Sequence, residues 1–419
     1  MKLGVRQLAL AALAAVFALA ATAGPSAPVG AAGDPGLSST EIVLGGTHPF
    51  SGPASAYGAY GKGVEAYFAY VNDHGGVNGR KITYKDLDDG YSPPQAVQLV
   101  RQLVEDDHVF AMFNTLGTPV NTAIRPYLNQ KEVPQLFVAS GASTWGRDSA
   151  KFPWTIGWQP NYQSESILYA QNLLKEHPNA KIGVLYQNDD YGQDYLDGLN
   201  KGLGAKKNLI VKAASYEVTD PDVSSQIAGL KAAGADTFFI FATPKFSSQA
   251  LAIAAQQSWH PTIYLNNVSS SQTTMRAATT AAGAAATNGV ITTLYSKDPG
   301  DPKWAADSGM KLYMEIMAKY VPGADTANGY YLNAMGVAFT MVDALTKAGK
   351  EITRRKLMDT AEHLRETNNP FLLPGIVVET TPSMRFPITQ EQLVRYDNGQ
   401  FKAFGPLVDA RALIGSELR

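Results

Sequence analysis

The chain of 419 residues contains no cysteine, only six histidines, and no long apolar run beyond its first 21 residues. Without cysteine it can form no disulfide bridge, thiol nucleophile, thiolate metal site or lipid-modified cysteine anchor. The histidines are dispersed, and no two stand at the spacing of metal ligands. No later segment supplies the ~20 apolar residues that a membrane-spanning helix needs. We therefore expect neither a metal nor a cofactor.

The amino-terminal segment indicates export. Lys2 and Arg6 precede an apolar run over residues 8–21, and Ala21-Thr22-Ala23 fits the small-x-small rule for signal peptidase. The run is too short to serve as a membrane anchor. We expect a cleaved signal peptide over residues 1–23 and a flexible leader, rich in Gly, Ala, Pro and Ser, over residues 24–40. The mature protein should be soluble in the periplasm.

The net charge argues against two classes of partner. Loss of residues 1–23 leaves 33 basic and 37 acidic residues, a formal charge of −4. A mildly acidic surface does not suit nucleic acid or an anionic membrane, so we expect neither.

Strand-like and helix-like patterns alternate from Glu41 onward, which is typical of βαβ units and parallel sheets. One half runs to about residue 159, and the same alternation begins afresh after Pro160. The elements after about residue 288 are too few for a third domain and should complete the first two. The pattern predicts an α/β protein with two doubly wound parallel-sheet lobes.

Motifs that would indicate catalysis or ion binding are incomplete. Gly61-Lys62-Gly63 lacks the other residues of a phosphate-binding loop, and Asp86, Asp88 and Asp89 lack the downstream glutamate of a calcium loop, which favours a turn. The loops expected at the carboxyl ends of the strands are rich in Ser, Thr, Asn, Tyr and Gly. Such loops suit a small polar ligand held by hydroxyls and backbone N–H groups. We therefore predict a binding protein rather than an enzyme.

Four blocks stand in order along the chain: GPASAYG at 52–58, GGVNGR at 75–80, WTIGWQP at 154–160 and QNDDYG at 187–192. With Asp88-Asp89, their order and spacing resemble the leucine/isoleucine/valine-binding proteins, which are type I periplasmic solute-binding proteins of ABC transporters. The likeness extends from about Glu41 to the last predicted strand.

The resemblance implies a type I fold, with three crossovers between the lobes and a cleft that closes on its ligand by hinge motion. It places residues 41–159 and 289–380 in the first lobe and residues 160–288 and 381–419 in the second. The hinges it implies lie near Gln159-Pro160, Thr287-Asn288 and Thr380-Pro382.

The resemblance also implies a binding site. In the family, a hydroxyl and backbone amides on two first-lobe loops hold the ligand carboxylate. The matching positions, with the register open by one residue, are Gly117, Thr118, Gly141, Ala142 and Ser143. Tyr57 and Tyr191 match the family tyrosines that line the cleft from opposite lobes.

One position departs from the amino-acid-binding members. Those proteins neutralise the ligand ammonium with an acid after the strand that corresponds to residues 262–265, where this chain has Asn267 and no carboxylate. A buried, unpaired ammonium costs several kcal/mol, so we expect an apolar or aromatic carboxylate instead. Asp189 or Asp190, beside Tyr191, is the alternative source of the missing charge.

The resemblance implies capture of a branched-chain or hydrophobic amino acid or a small organic acid, delivery to an ABC permease in the membrane, and a monomeric state. A sensory receptor of the same fold would use the same cleft, and the sequence does not separate the two. An enzyme with an α/β cleft is the remaining alternative, and it would need a convergent acid, base or nucleophile set.

Overall fold

Five parallel strands form the sheet of the first lobe. In the computed structural model, which describes residues 34–414, they are β1 (Glu41–His48), β2 (Lys81–Asp88), β3 (Ala111–Phe113), β4 (Gln135–Val138) and β5 (Thr155–Gly157). Their order in the sheet is β2-β1-β3-β4-β5. The expected signal peptide lies outside the described residues.

Helices connect these strands. They are α1 (Gly58–Asp73), α2 (Pro93–Glu105), α3 (Thr118–Gln130) and the short α4 (Thr144–Arg147). Helix α1 has an apolar face, because Tyr60, Val64, Tyr67 and Phe68 are buried in the first-lobe core. Spacings of three and four residues place these side chains on one side of a helix.

Residues 34–40 are part of the first lobe, so the expected flexible leader is wrong over this stretch. The backbone N–H of Arg354 donates to the Asp34 carboxylate at 2.5 Å, and Leu37 packs against the core. Gly36 has a positive φ of 76°, and a Cβ there would lie 2.3 Å from the backbone nitrogen of Phe110. Glycine therefore lets this segment approach the sheet closely.

The chain then builds most of the second lobe. Its elements are α5 (Tyr162–Glu176), β6 (Ile182–Gln187), α6 (Asp190–Leu203), β7 (Ile210–Tyr216), α7 (Ser224–Ala232), β8 (Thr237–Phe241), α8 (Pro244–Gln256), β9 (Thr262–Leu265), α9 (Gln272–Ala282) and β10 (Ile291–Leu294).

Three further helices return to the first lobe: α10 (Ser308–Tyr320), α11 (Gly329–Ala348) and α12 (Arg354–Ala361). Helix α11 packs closely on α1, since a Cβ added at Gly63 would lie 2.6 Å from that of Ala334. A two-stranded antiparallel sheet follows, formed by β11 (Arg365–Glu366) and β12 (Val378–Glu379).

The last elements complete the second lobe: β13 (Gln390–Asp397), β14 (Gln400–Asp409) and α13 (Arg411–Ile414). The second sheet has the order β14-β13-β10-β9-β8-β6-β7. Strand β13 is antiparallel to both of its neighbours, β10 and β14, so this sheet is mixed rather than wholly parallel. Asn398 and Gly399, both with positive φ, form the hairpin turn between β13 and β14, and Asn-Gly is a typical sequence for such a turn.

The chain crosses between the two sheets three times. The first crossing lies between β5 and α5, the second between β10 and α10, and the third between β12 and β13. The second crossing differs from the boundary expected at residues 288–289. Strand β10 pairs with β9 and β13, so residues 291–294 belong to the second sheet, and the chain leaves it only after Leu294. Within residues 34–414, no helix has the length and apolarity to span a membrane.

Candidate ligand-binding site

A cavity with an empty volume of about 360 Å³ lies between the lobes. The first lobe lines it with Tyr57, Tyr60, Tyr91, Leu116, Gly117, Thr118 and Ala139. The second lobe and the first crossing line it with Gln159, Tyr162, Tyr191, Thr243 and Val268. Nearly all these residues follow the carboxyl end of a parallel strand, which is where α/β sheets bind ligands.

Five tyrosines dominate the wall of the cavity. The rings of Tyr162 and Tyr191 meet edge to face, with their centroids 5.4 Å apart. The ring of Tyr57 packs against that of Tyr330, with their centroids 5.3 Å apart. Burial raises the pKa of Tyr57, Tyr91 and Tyr191 well above its ordinary value. The phenols are therefore neutral, and they offer apolar ring faces together with hydroxyls that donate or accept hydrogen bonds.

The amino terminus of α3 adjoins the cavity. Its N-cap residue, Gly117, has a φ of 100°, and no side chain caps the helix. A Cβ at Gly117 would lie 2.6 Å from the ring of Tyr91, so only glycine fits here. Free backbone N–H groups at a helix amino terminus favour an anion such as a carboxylate.

The hydroxyl of Thr118 is oriented by its neighbours. Ser140 Oγ lies 2.7 Å from Thr118 Oγ1 and accepts hydrogen bonds from Trp145 Nε1 at 3.0 Å and from the backbone N–H of Ala142 at 3.2 Å. The Tyr162 hydroxyl is a further hydrogen-bond partner of both Ser140 and Thr118. The three hydroxyls form one network at the cavity wall, and each can donate or accept a hydrogen bond.

The loop at residues 141–143 contacts the second lobe rather than lining the cavity. Gly141 accepts a hydrogen bond from the backbone N–H of Tyr162 at 2.8 Å. The backbone N–H and hydroxyl of Ser143 donate to the Asp194 carboxylate at 2.8 and 2.5 Å. Ser140, which the sequence analysis missed, is the loop residue in contact with Thr118. The sequence pointed to Ser140 only through the register of the matching positions, which was open by one residue and so allowed Ser140 in place of Gly141.

Asn267 does not line the cavity, and the preceding residue, Asn266, contacts a cavity residue instead. Asn266, not Asn267, donates its side-chain amide to the hydroxyl of Tyr191. The Oδ1 atom of Asn266 is buried and has no partner within residues 34–414, so it can accept a hydrogen bond from a ligand. The amide of Asn267 donates to the carbonyl oxygen of Thr293 instead.

No carboxylate is among the residues that line the cavity in the described part of the chain. The carboxylate of Asp189 caps α6 by accepting the backbone N–H groups of Tyr191 at 3.0 Å and Gly192 at 3.2 Å. Asp190 is exposed on the first turn of the same helix. As placed here, neither acid faces the cavity.

The sequence analysis missed a buried acid one layer behind the cavity. Glu165 accepts hydrogen bonds from the hydroxyls of Tyr169 and Tyr195 and from the backbone N–H of Asn267, at 2.8, 2.7 and 2.6 Å. Burial raises the pKa of Glu165 to about 7. Burial and the nearby Glu165 also raise the pKa of Glu391 well above its ordinary value. The two acids thus resist being charged together.

The turn predicted for Asp86, Asp88 and Asp89 begins only at the end of β2, because Asp86 lies within the strand and pairs with His48 at 2.9 Å. Asp88 accepts the backbone N–H groups of Phe50 and Gly90 at 2.9 and 3.0 Å, and Asp89 accepts that of Tyr91 at 2.8 Å. The bond to Asp89 helps to place Tyr91 at the cavity. Within residues 34–414 there is no group of three His, Cys, Asp or Glu side chains that could hold a metal ion.

Two α/β lobes joined by three crossings, with a cavity lined from both sides, define a two-lobed ligand-binding protein. The sequence pattern of the family described as periplasmic binding protein matches residues 41–399. The chain belongs to this family and has its type I fold. Membership of a family of periplasmic binding proteins implies an extracytoplasmic location and a substrate-binding role rather than catalysis.

A curated relative is a Leu/Ile/Val-binding protein homolog of Brucella melitensis, 27% identical over 201 residues. The match covers 48% of this chain and 54% of the relative, so the chain spans about half the length of the curated relatives it matches.

Two solved structures have the same fold. A branched-chain amino acid ABC transporter protein from Thermus thermophilus with bound valine gives a TM-score of 0.78 at 16% identity, covering 90% of this chain and 100% of that one. A solute-binding protein of an ABC transporter from Rhodopseudomonas palustris, in complex with 3,4-dihydroxybenzoic acid, gives a TM-score of 0.73 at 19% identity. The match covers 88% of this chain and 98% of that one.

Proposed function

We propose that this chain is the solute-binding protein of an ABC importer and that its lobes close by hinge motion around a small, largely apolar carboxylate. The observation that carries the proposal is the composition of the cavity wall, which has aromatic rings, hydroxyls and a helix amino terminus but no carboxylate. A single anion with an apolar body matches such a wall.

The carboxylate end of the ligand is assigned to the amino terminus of α3. The uncapped backbone N–H groups there and the hydroxyl of Thr118 would donate to the anion. Hydrogen bonds to an ionised acceptor are about twice as strong as neutral ones. The solved relatives described above bind valine and 3,4-dihydroxybenzoic acid, both of which are carboxylates.

The opposite end of the cavity is assigned to the apolar body. The ring of Tyr191 and the side chain of Val268, which line the cavity from the second lobe, would surround it. An α-ammonium would have no carboxylate in contact, since Glu165 lies behind Tyr195 and its raised pKa favours the neutral acid. Desolvating that ammonium without a partner costs several kcal/mol, which selects against free amino acids.

Calorimetry on the purified protein with benzoate, phenylalanine and leucine tests the ligand class. We expect benzoate to bind more tightly than either amino acid and Tyr191→Ala to weaken its binding by about tenfold or more, since an aromatic contact of ~1.5 kcal/mol is lost. Tyr127→Phe, which alters a tyrosine remote from the cavity, is the control. Tight, Tyr191-dependent binding of leucine would refute the proposed ligand class and point to Glu165 or Asp189 as the counter-charge.

The importer role is tested by uptake. Deleting the gene should abolish uptake of the radiolabelled ligand, and a plasmid copy should restore it. Unchanged uptake together with an altered signalling response would instead support a sensory receptor of the same fold.

A further inference from the structure

A second depression lies between the lobes beside the cavity, with an empty volume of about 1110 Å³. We name it the entrance groove. One wall belongs to the first lobe and is formed by Gly52, Pro53, Ser55 and Ala56. The other belongs to the second lobe and is formed by Val218, Thr219, Pro244, Lys245, Ser248, Thr273, Thr274 and Ala277.

The entrance groove and the cavity are lined by adjacent residues on both lobes. Ala56 lines the groove and the adjacent Tyr57 lines the cavity, while Pro244 and the adjacent Thr243 do the same on the second lobe. Both depressions therefore share the same two walls. A ligand too long for the cavity would extend into the groove.

Most of the groove wall is apolar, and it contains a single charged residue, Lys245. The ammonium of Lys245 contacts the backbone oxygen of Asp220 at 3.3 Å, and no carboxylate of residues 34–414 lies within ion-pair distance of it. The exposed Asp222 interacts with it only at longer range. Lys245 thus remains available to an anion.

Two further features favour an anionic or polar group at this place. Lys245 stands in the first turn of the 13-residue helix α8, whose amino terminus has no side-chain cap. The hydroxyl oxygen of Thr273, on the facing helix α9, is buried and has no partner in the described chain. The same wall of the groove thus carries a cation, a helix amino terminus and an unsatisfied hydroxyl oxygen, which are groups that bind anions or polar ligands.

We propose that the entrance groove binds the distal part of an elongated ligand, an apolar spacer that ends in a second anionic group facing Lys245. This inference rests on the proposed function, because it assigns the first carboxylate to the amino terminus of α3. The ligand class is then a dicarboxylate with an apolar body, with one acid group at each depression.

Calorimetry with benzoate and with matched pairs of straight-chain acids, octanoate with suberate and decanoate with sebacate, tests the assignment. In the wild type, one dicarboxylate should bind about tenfold more tightly than its monocarboxylate partner, as expected for one charge-assisted contact. Lys245→Gln should remove this difference and leave benzoate unaffected. Lys311→Gln, which replaces an exposed lysine elsewhere, is the control.

A steric variant provides an independent readout. Ala277 is exposed on α9 and lines the groove, so Ala277→Phe should fill the groove without disturbing the core. We expect it to weaken dicarboxylate binding at least tenfold and leave benzoate binding unchanged. Ala281→Phe, at an exposed position of the same helix outside the groove, is the matched control.

Equal affinities for mono- and dicarboxylates in all variants, with benzoate bound, would overturn the groove assignment and leave the proposed function standing. Failure of every acid to bind the wild type would overturn both.

Discussion

The buried carboxylate of Asp194 provides a test of lobe closure that does not alter the cavity wall. Asp194 belongs to α6 in the second lobe, and it accepts two hydrogen bonds from Ser143 of the first lobe, at 2.8 and 2.5 Å. Gln163 of the second lobe donates a third at 2.7 Å. Opening of the cleft breaks the two bonds to Ser143 and keeps the one to Gln163.

The magnitude follows from the two bonds that span the lobes. A hydrogen bond to a charged group is worth roughly 1.5–3 kcal/mol, and part of this is returned when water solvates Asp194 in the open form. Asp194→Ala also leaves the N–H of Ser143 unsatisfied in the closed form. We expect a net loss of about 2 kcal/mol, which weakens ligand binding ~30-fold if the free protein is mostly open.

Calorimetry with the tightest-binding acid measures this loss, and solution scattering measures closure. The wild type should become more compact at saturating ligand, and Asp194→Ala should need a higher ligand concentration to reach the same radius of gyration. Asp197→Ala is the control, because Asp197 is exposed and lies about one turn further along the same helix. Equal affinities of the two variants would refute the role of Asp194 in closure.

Three further predictions address the fold and its processing. Gly117→Ala should destabilise the protein by about 1–3 kcal/mol in chemical denaturation, because its positive φ and the ring of Tyr91 exclude a Cβ; an unchanged midpoint would contradict this. Burial raises the pKa of Glu165 to about 7, so the folded state holds this proton more tightly than the unfolded state. The stability that protonated Glu165 contributes is present below pH ~4.5 and is lost as the pH rises to about 7. Glu391→Gln should reduce the loss of melting temperature between pH 5 and pH 8, because it removes the second acid of the pair. An unaltered loss of melting temperature would count against a coupled pair. Amino-terminal sequencing of the exported protein should begin near Gly24, whereas an intact Met1 in the membrane fraction would contradict cleavage after Ala23.

Hydrophobic periodicity predicted most of the secondary structure. Strand β9 has the bounds that the sequence predicts, residues 262–265. Strand β5 was missed, since three residues within the block at 154–160 carry no periodic signal. The pairing of β10 with the second sheet was also missed, because the choice of partner strand depends on contacts distant in sequence.

The candidate site was predicted only in outline. Tyr57, Gly117, Thr118 and Tyr191 line the cavity, as the resemblance implied. Ser143 and Asn267 do not line it; Ser140, on the same loop as Ser143, contacts Thr118, and Asn266 contacts Tyr191. Adjacent residues in a loop point in different directions, and a motif does not specify which of them faces the ligand.

The sequence by itself determined the features that depend on neighbouring residues. These are the alternation of strands and helices, the hairpin turn at Asn398-Gly399 and the family to which the chain belongs. The tertiary structure alone decided which distant side chains meet: Asp194 with Ser143 across the lobes, Glu165 with Glu391 beneath the cavity, and Lys245 in the entrance groove. The physical reason is range. Backbone conformation and turn chemistry act over a few residues, whereas burial, charge pairing and cavity shape depend on groups that only the folded chain brings together.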